Sequence, residues 1–319
     1  MRTLTTPIRY AIGLTCAALA VSCVAPDQET RMTTPPAVEA GASRHSFPFM
    51  GARTTWLYAQ SWQPMGASRG VLVIMHGLKD HSERYSEFAE SLTGQGFSVY
   101  AFDLRGHGRS AGTRVWVDSF DDYVDDLGSF IAYVKTREAG KPVFLLGHSM
   151  GGAIATLYAL RHPTELAGLV LSAPALRANA SGIEVASTHA IDALIPEAGI
   201  FQLDIEKFSR DKAVVAACKQ DPLVYQGPMP ARTAAQLLDA LDEIGKRMGE
   251  LSVPLLDMHG TKDEITMPEG SKDLVARAAS KDKTLKLYDG LVHDLLHEPE
   301  KEQVQKDVTD WLVLHLAAK

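Results

Sequence analysis

One stretch restricts what this chain can fold into more than any other. It runs Val143-Phe144-Leu145-Leu146-Gly147-His148-Ser149-Met150-Gly151-Gly152 and continues as Ala153-Ile154-Ala155-Thr156-Leu157-Tyr158-Ala159-Leu160. The first part is an apolar, strand-like segment and the last reads as a helix, so Gly-x-Ser-x-Gly falls at a strand-to-helix turn. A serine held there has its hydroxyl raised above the sheet. Gly147 and Gly151 flank it because a Cβ at either position would crowd the strained backbone. Ser149 is the candidate nucleophile. An ordinary glycine turn with an incidental serine would not need the strand before it and the helix after it.

A serine hydroxyl is a weak nucleophile at its free pKa, so it needs a base, and the base needs an orienting group. On a strand–turn–helix nucleophile these follow in the order acid, then histidine. Val253-Pro254-Leu255-Leu256-Asp257-Met258-His259-Gly260 reads as a buried strand ending in a turn, and Asp263 lies in the loop beyond it. A helical stretch comes next, then a second strand, Thr284-Leu285-Lys286-Leu287-Tyr288, whose following loop carries His293. Loops at strand ends are where catalytic groups gather in an open α/β sheet.

The chain has 11 histidines. His76, His107, His148 and His259 precede glycines at strand ends or turns and read as structural or pocket-lining, with His148, next to the serine, a candidate to border the substrate. His162 is in a helix-end Arg-His-Pro pattern, His315 is on the last helix, and His45 and His189 have no motif around them. The contest for the base is between His293 and His297, with His293 favoured. For the acid, Asp257 is inside a strand and Asp289 and Asp294 are too near the histidine in sequence, which leaves Asp263. An oxyanion hole needs two backbone N–H groups. Met150 supplies one, at a helix start where donors are unpaired and the dipole favours an anion. Leu78 supplies the other, in the His76-Gly77-Leu78 loop after the strand Val71-Leu72-Val73-Ile74-Met75.

The 319 residues are 45% hydrophobic and 22% charged, enough for one full-size core with an insertion. The formal net charge is −7 and no basic stripe is present, which leaves nucleic-acid binding without a footprint. Asp118, Asp121, Asp122, Asp125 and Asp126 bracket a helix start, where acidic residues suit the dipole; a metal site is the sharper alternative. Residues 1–22 read as a targeting segment: Arg2 and Arg9 are followed by an apolar stretch, Ala11 to Val21, that is too short to span a membrane comfortably. Leu19-Ala20-Val21-Ser22-Cys23 resembles a bacterial lipobox, with Ala20 where Leu is usual, and makes Cys23 the candidate lipidation site of an envelope lipoprotein. An ordinary secretory signal, giving a periplasmic or secreted protein, is the alternative. Residues 23–45, rich in Pro, Thr, Ala and Glu, read as a flexible tether. Of 3 cysteines only Cys218 remains in the folded part, so no internal disulfide is expected.

Strands and helices alternate from about residue 71 to 172, with continuous apolar strands, which predicts an α/β fold with a doubly wound, mostly parallel sheet. The alternation breaks after Ala173-Pro174. Residues 46–174 are read as the first part of the core and 175–230, with no clear strand, as a mainly helical cap inserted above Ser149. Residues 231–319 return the chain to the core. A helical excursion on the surface, without substrate contact, is the alternative to a cap.

These motifs resemble the monoacylglycerol lipase family of α/β-hydrolase-fold serine hydrolases. The resemblance is carried by His76-Gly77-Leu78-Lys79-Asp80-His81-Ser82-Glu83-Arg84-Tyr85, Phe102-Asp103-Leu104-Arg105-Gly106-His107-Gly108-Arg109-Ser110, Gly147-His148-Ser149-Met150-Gly151-Gly152, Asp221-Pro222-Leu223-Val224 and Gly290-Leu291-Val292-His293-Asp294-Leu295-Leu296-His297-Glu298-Pro299. It runs from about Phe47 to the C-terminus and implies hydrolysis of monoacylglycerols or similar single-chain acyl esters through an acyl-enzyme. It implies Ser149, Asp263 and His293 as the triad, Leu78 and Met150 as oxyanion donors, and Arg84 near the glycerol end of the substrate. No metal or organic cofactor is required. The implied partners are a small lipid ester and, through Cys23, a membrane surface. A lysophospholipase or short-chain carboxylesterase shares these motifs, and a catalytically silent hydrolase-fold binding protein is the rival of a different class.

Overall fold

The structure is a computed structural model and describes residues 43–178 and 180–316. The expected signal segment and Cys23 lie outside the described residues, as does most of the tether. Eight strands form one sheet: β1 (Ser43–Met50), β2 (Trp56–Gln63), β3 (Gly70–Met75), β4 (Phe97–Phe102), β5 (Val143–His148), β6 (Gly168–Ser172), β9 (Leu255–Gly260) and β10 (Lys283–Tyr288). Their spatial order is β1-β2-β4-β3-β5-β6-β9-β10. β2 runs antiparallel to both its neighbours, β1 and β4, and every other pair is parallel. The tether was expected to reach residue 45. The chain is already in β1 at Ser43, opposite Gln63, because the polar 43–46 segment can complete a half-exposed sheet edge without a hydrophobic face of its own.

The inner parallel strands such as β3 and β5 read as apolar runs because helices cover both faces, whereas β10, at the sheet edge, carries Lys283, Thr284 and Lys286 and is half-exposed. In β3, Val71, Val73 and Met75 join one core cluster while Leu72 and Ile74 join the other, following the two-residue alternation of a strand. The first cluster receives α2 (Asp121–Arg137), α3 (Met150–Arg161), α6 (Ala231–Arg247) and α7 (Pro268–Arg277). The second receives α1 (Ser86–Thr93) and α8 (Lys301–Leu316), with Trp311 edge-on to Phe144. Every residue of α3 from Met150 to Leu160 is buried, so the helix behind Ser149 is held on all sides.

β4 lies on one side of β3 and β5 on the other, so the winding direction switches at β3 and β5. The crevice beyond such a switch is where open α/β sheets bind ligands. It places the loop after β3 beside the turn after β5. Between β6 and α6 the chain forms α4 (Gly182–Leu194), β7 (Gly199–Phe201), α5 (Lys212–Gln220) and β8 (Met229–Pro230). The expectation of no strand here is corrected: β7 and β8 pair antiparallel, short enough that their residues carry no legible alternation. No helix among the described residues is long and apolar enough to cross a membrane.

Candidate active site

Ser149 follows the last residue of β5 and precedes the first of α3, with φ 53° and ψ −121°. A non-glycine residue there costs about 1–3 kcal/mol and persists only where its surroundings enforce it. Here they do. Ser149 N–H donates to the Ser172 carbonyl (3.1 Å), and the Ser149 carbonyl accepts from Gly152 N–H (2.9 Å) and Ala175 N–H (2.9 Å). The flanking glycines are sterically required. A Cβ on Gly147 would stand 2.5 Å from the Gly151 carbonyl oxygen, and one on Gly151 would stand 2.4 Å from the carbonyl oxygens of both Met75 and His76. The loop after β3 therefore packs directly on the serine turn.

Asp263 and His293 come from the loops after β9 and β10, and the structure brings them together: His293 Nδ1 lies 2.8 Å from Asp263 Oδ2. The other carboxylate oxygen accepts the backbone N–H groups of Ile265 (2.8 Å) and Thr266 (3.1 Å). Thr266 Oγ1 donates to Oδ2 at 2.8 Å, and His259 Nε2 stands 3.2 Å from the same oxygen. Burial alone would raise the Asp263 carboxyl. The His293 charge and the hydrogen bonds from His259 and His293 outweigh it and hold the group well below the usual carboxylate range. Asp257 has the opposite fate: enclosed in β9, its carboxyl is pushed up to about 8 by burial. Two carboxyls driven apart by their surroundings separate the acid that stays ionised from one that stays protonated.

His297 is accounted for elsewhere. Its Nδ1 pairs with Asp294 Oδ1 (2.7 Å) and its Nε2 with the Arg84 carbonyl (2.9 Å). The His293 ring lies 4.8 Å from the ring of His148, which adjoins Ser149. His148 donates from Nδ1 to the Ser172 carbonyl (3.0 Å), the same oxygen that accepts from Ser149 N–H. Burial, and then the nearby His293, push its imidazole down to about 4, so it stays neutral and pins the turn to β6. It is 4% exposed, with Nδ1 on the Ser172 carbonyl and its ring against His293.

A Cβ on Gly77 would lie 3.0 Å from Ser149 Cβ, so the backbone just before Leu78 skims the serine. Among the described residues neither the Leu78 nor the Met150 N–H has a backbone acceptor. His76 fixes the loop base by donating from Nδ1 to the Gly77 carbonyl (2.7 Å) and accepting from Leu104 N–H at Nε2 (2.9 Å).

Arg84 is placed between two carboxylates, Asp80 (3.0 Å) and Asp294 (2.5 Å). Its charge thus joins the loop bearing Leu78 to the loop bearing His293. Asp294 is 210 positions from Arg84, so no local pattern announces this bridge. The segment between β6 and α6 is fastened to the same two loops. His81 Nε2 meets Asp221 Oδ2 at 2.9 Å, and the Phe208 carbonyl accepts from Asp294 N–H at 2.7 Å with its ring 6.0 Å from that of His293. Glu298 accepts from Ser209 Oγ (2.7 Å) and Arg210 Nε (2.6 Å).

The acidic group around the start of α2 is spent on arginines: Asp126 on Arg105 (2.7 Å) and Asp121 on Arg161 (2.7 Å). Among the described residues no group of three or more His, Cys, Asp or Glu stands arranged to hold a metal ion.

The family model described as serine aminopeptidase, S33 (Hydrolase_4) matches residues 66–300. A monoacylglycerol lipase of Mycolicibacterium smegmatis is 39% identical over 281 residues, covering 88% of this chain and 100% of that protein. The monoglyceride lipase of Homo sapiens is 33% identical over 292 residues, covering 90% and 95%. Among solved structures, the Paleococcus ferrophilus monoacylglycerol lipase superposes with a TM-score of 0.74 at 33% identity, covering 81% of this chain and 99% of that one.

Proposed function

The chain belongs to the Hydrolase_4 (serine aminopeptidase, S33) family and has the α/β-hydrolase fold, and on that premise we propose that it hydrolyses monoacylglycerols to free fatty acid and glycerol. The observation that carries the substrate is identity of 39% along the whole length of a monoacylglycerol lipase, in a chain whose Asp263–His293 pair and serine turn are both in place.

Ser149 Oγ attacks the ester carbonyl as His293 Nε2 takes its proton. Asp263 accepts from Nδ1–H, which fixes the tautomer and stabilises the imidazolium. The tetrahedral oxyanion is held by the Leu78 and Met150 N–H groups. His293 then gives the proton to the departing glycerol oxygen, leaving acyl-Ser149. Water, deprotonated by His293, attacks the acyl carbonyl; the proton returns to Ser149 Oγ as the fatty acid leaves. Every group in this cycle belongs to the chain, substrate or water.

The test is hydrolysis of 1-monoacylglycerol, lysophosphatidylcholine, triacylglycerol and short p-nitrophenyl esters, with Ser149→Ala as the blank. A monoacylglycerol preference lost in the variant is the expected result. Activity on short esters alone would replace the lipid substrate with a general carboxylesterase reading. Full activity in Ser149→Ala would overturn the mechanism.

We also propose that residues 1–22 export the protein and that Cys23 is lipidated, anchoring it to a membrane of the bacterial cell envelope. The support is the charged, then apolar, then Leu19-Ala20-Val21-Ser22-Cys23 pattern. Incorporation of a tagged fatty acid into the parent and not into Cys23→Ser is expected; equal labelling of both would remove the anchor.

A further inference from the structure

Asp263 does not face one imidazole but two. His259, the penultimate residue of β9, is fully buried and sits across the carboxylate from His293. Its Nε2 faces only acceptor-bearing neighbours: Asp263 Oδ2 at 3.2 Å, the Thr266 carbonyl at 3.2 Å and Thr266 Oγ1 at 3.3 Å. Its Nδ1 lies 2.8 Å from Ser271 Oγ on α7. A neutral imidazole has one donor and one acceptor nitrogen. The carboxylate and the carbonyl both require a donor at Nε2, so the proton is there, and Nδ1 accepts from the Ser271 hydroxyl. By geometry the hydroxyl is spent on His259: neither buried carboxyl oxygen of the neighbouring Asp257 has a hydrogen-bond partner among the described residues, whereas Ser271 Oγ is 2.8 Å from Nδ1.

The Thr266 hydroxyl makes the second nitrogen donor necessary. It has one proton and two acceptors, Asp263 Oδ2 at 2.8 Å and the Ala173 carbonyl at 3.0 Å. Whenever it turns to Ala173, His259 is the remaining side-chain donor on Oδ2 besides His293 itself. We propose that His259 is a positioning residue for the hydrolytic reaction, with Ser271 fixing its tautomer so that Nε2–H holds the Asp263 carboxylate in line for His293. The ordered chain is Ser271 O–H to His259 Nδ1, His259 Nε2–H to Asp263, and Asp263 from His293 Nδ1–H. This rests on the reading of Ser149, Asp263 and His293 as the triad.

Removing the His259 donor leaves Asp263 more basic and less constrained. A more basic carboxylate raises the pKa of the imidazole it faces, so the acid limb of kcat/KM moves to higher pH. Misorientation lowers kcat, while KM stays in place because His259 is fully buried behind Asp263. The test measures kcat, KM and the pH profile of His259→Leu, His259→Gln and Ser271→Ala, with Ser149→Ala alongside. His259→Leu should lose about tenfold in kcat, the scale of one hydrogen bond to a charged group, with an unchanged KM and an upshifted acid limb. His259→Gln, whose amide N–H can stand where Nε2–H stood, should restore kcat to within about threefold and return the limb. Ser271→Ala, which frees the tautomer but keeps the ring, should move the limb the same way by less.

A folded His259→Leu with parental kcat and acid limb would overturn the proposal, as would a folded His259→Gln no better than Leu. If His259→Leu does not fold, an unmoved acid limb in Ser271→Ala overturns it. Residual full activity in Ser149→Ala would instead mark failure of the underlying triad reading.

Discussion

Asp257 makes a sharp quantitative test of how this sheet holds its charges. It lies in β9, opposite Leu171 of β6 and Leu285 of β10, fully buried, and burial moves its carboxyl from 3.8 to about 8. The folded state therefore keeps a proton that the unfolded chain has lost. Stability on this account is intact below about pH 4, falls by about 1.4 kcal/mol per pH unit above it, and levels off beyond about pH 8. The whole effect is on the order of 5 kcal/mol, of which roughly 4 kcal/mol falls between about pH 5 and pH 8. Asp257→Asn carries a buried amide whose cost is the same at every pH. Urea unfolding of parent and variant at several pH values should give a free-energy difference that shifts in favour of Asn by roughly 4 kcal/mol from about pH 5 to pH 8. Two parallel pH curves, with a constant gap, would refute the reasoning and mean that the carboxyl is ionised and solvated in the fold.

Other perturbations bear on the site itself. Asp263→Asn should cost about 10⁴ in kcat, because the amide favours the wrong tautomer of His293; a loss under about tenfold on the monoacylglycerol assay would move the role to another aspartate. Gly151→Ala would set a methyl 2.4 Å from two backbone oxygens that have no side-chain freedom to yield. It should lower stability by about 3 kcal/mol and activity by roughly a hundredfold, and a soluble, fully active variant would disprove the packing of the β3 loop on the serine turn. Arg84→Met removes the cation shared by the buried carboxylates of Asp80 and Asp294, leaving Tyr85 on the first and His297 on the second, and should lower stability by about 3 kcal/mol in thermal unfolding; an unchanged melting temperature would show those remaining partners to be sufficient.

The parts of this protein that the sequence determined by itself are those whose physics is local. The serine turn was legible because strand, glycines and helix are neighbours in the chain, and a glycine excluded by a backbone oxygen leaves its mark at the position concerned. The inner parallel strands were legible because burial on both faces demands a nearly unbroken apolar run. Asp263 and His293 were reachable from chain order and strand-end placement. Tertiary structure alone decided what stands around them. His259 looked like a turn histidine until Asp263 and Ser271 were seen on its two nitrogens. Arg84, expected near the glycerol end of the substrate, also proves to hold Asp80 and Asp294 on its guanidinium, which its own surroundings in the chain do not announce. The β7–β8 ribbon is too short to leave a pattern, and the first half of β1, residues 43–46, has no hydrophobic face of its own. A hydrogen bond or ion pair fixes no spacing in the sequence when its partners lie up to 210 positions apart, so only the folded chain can say which polar group is already satisfied and which is left to act.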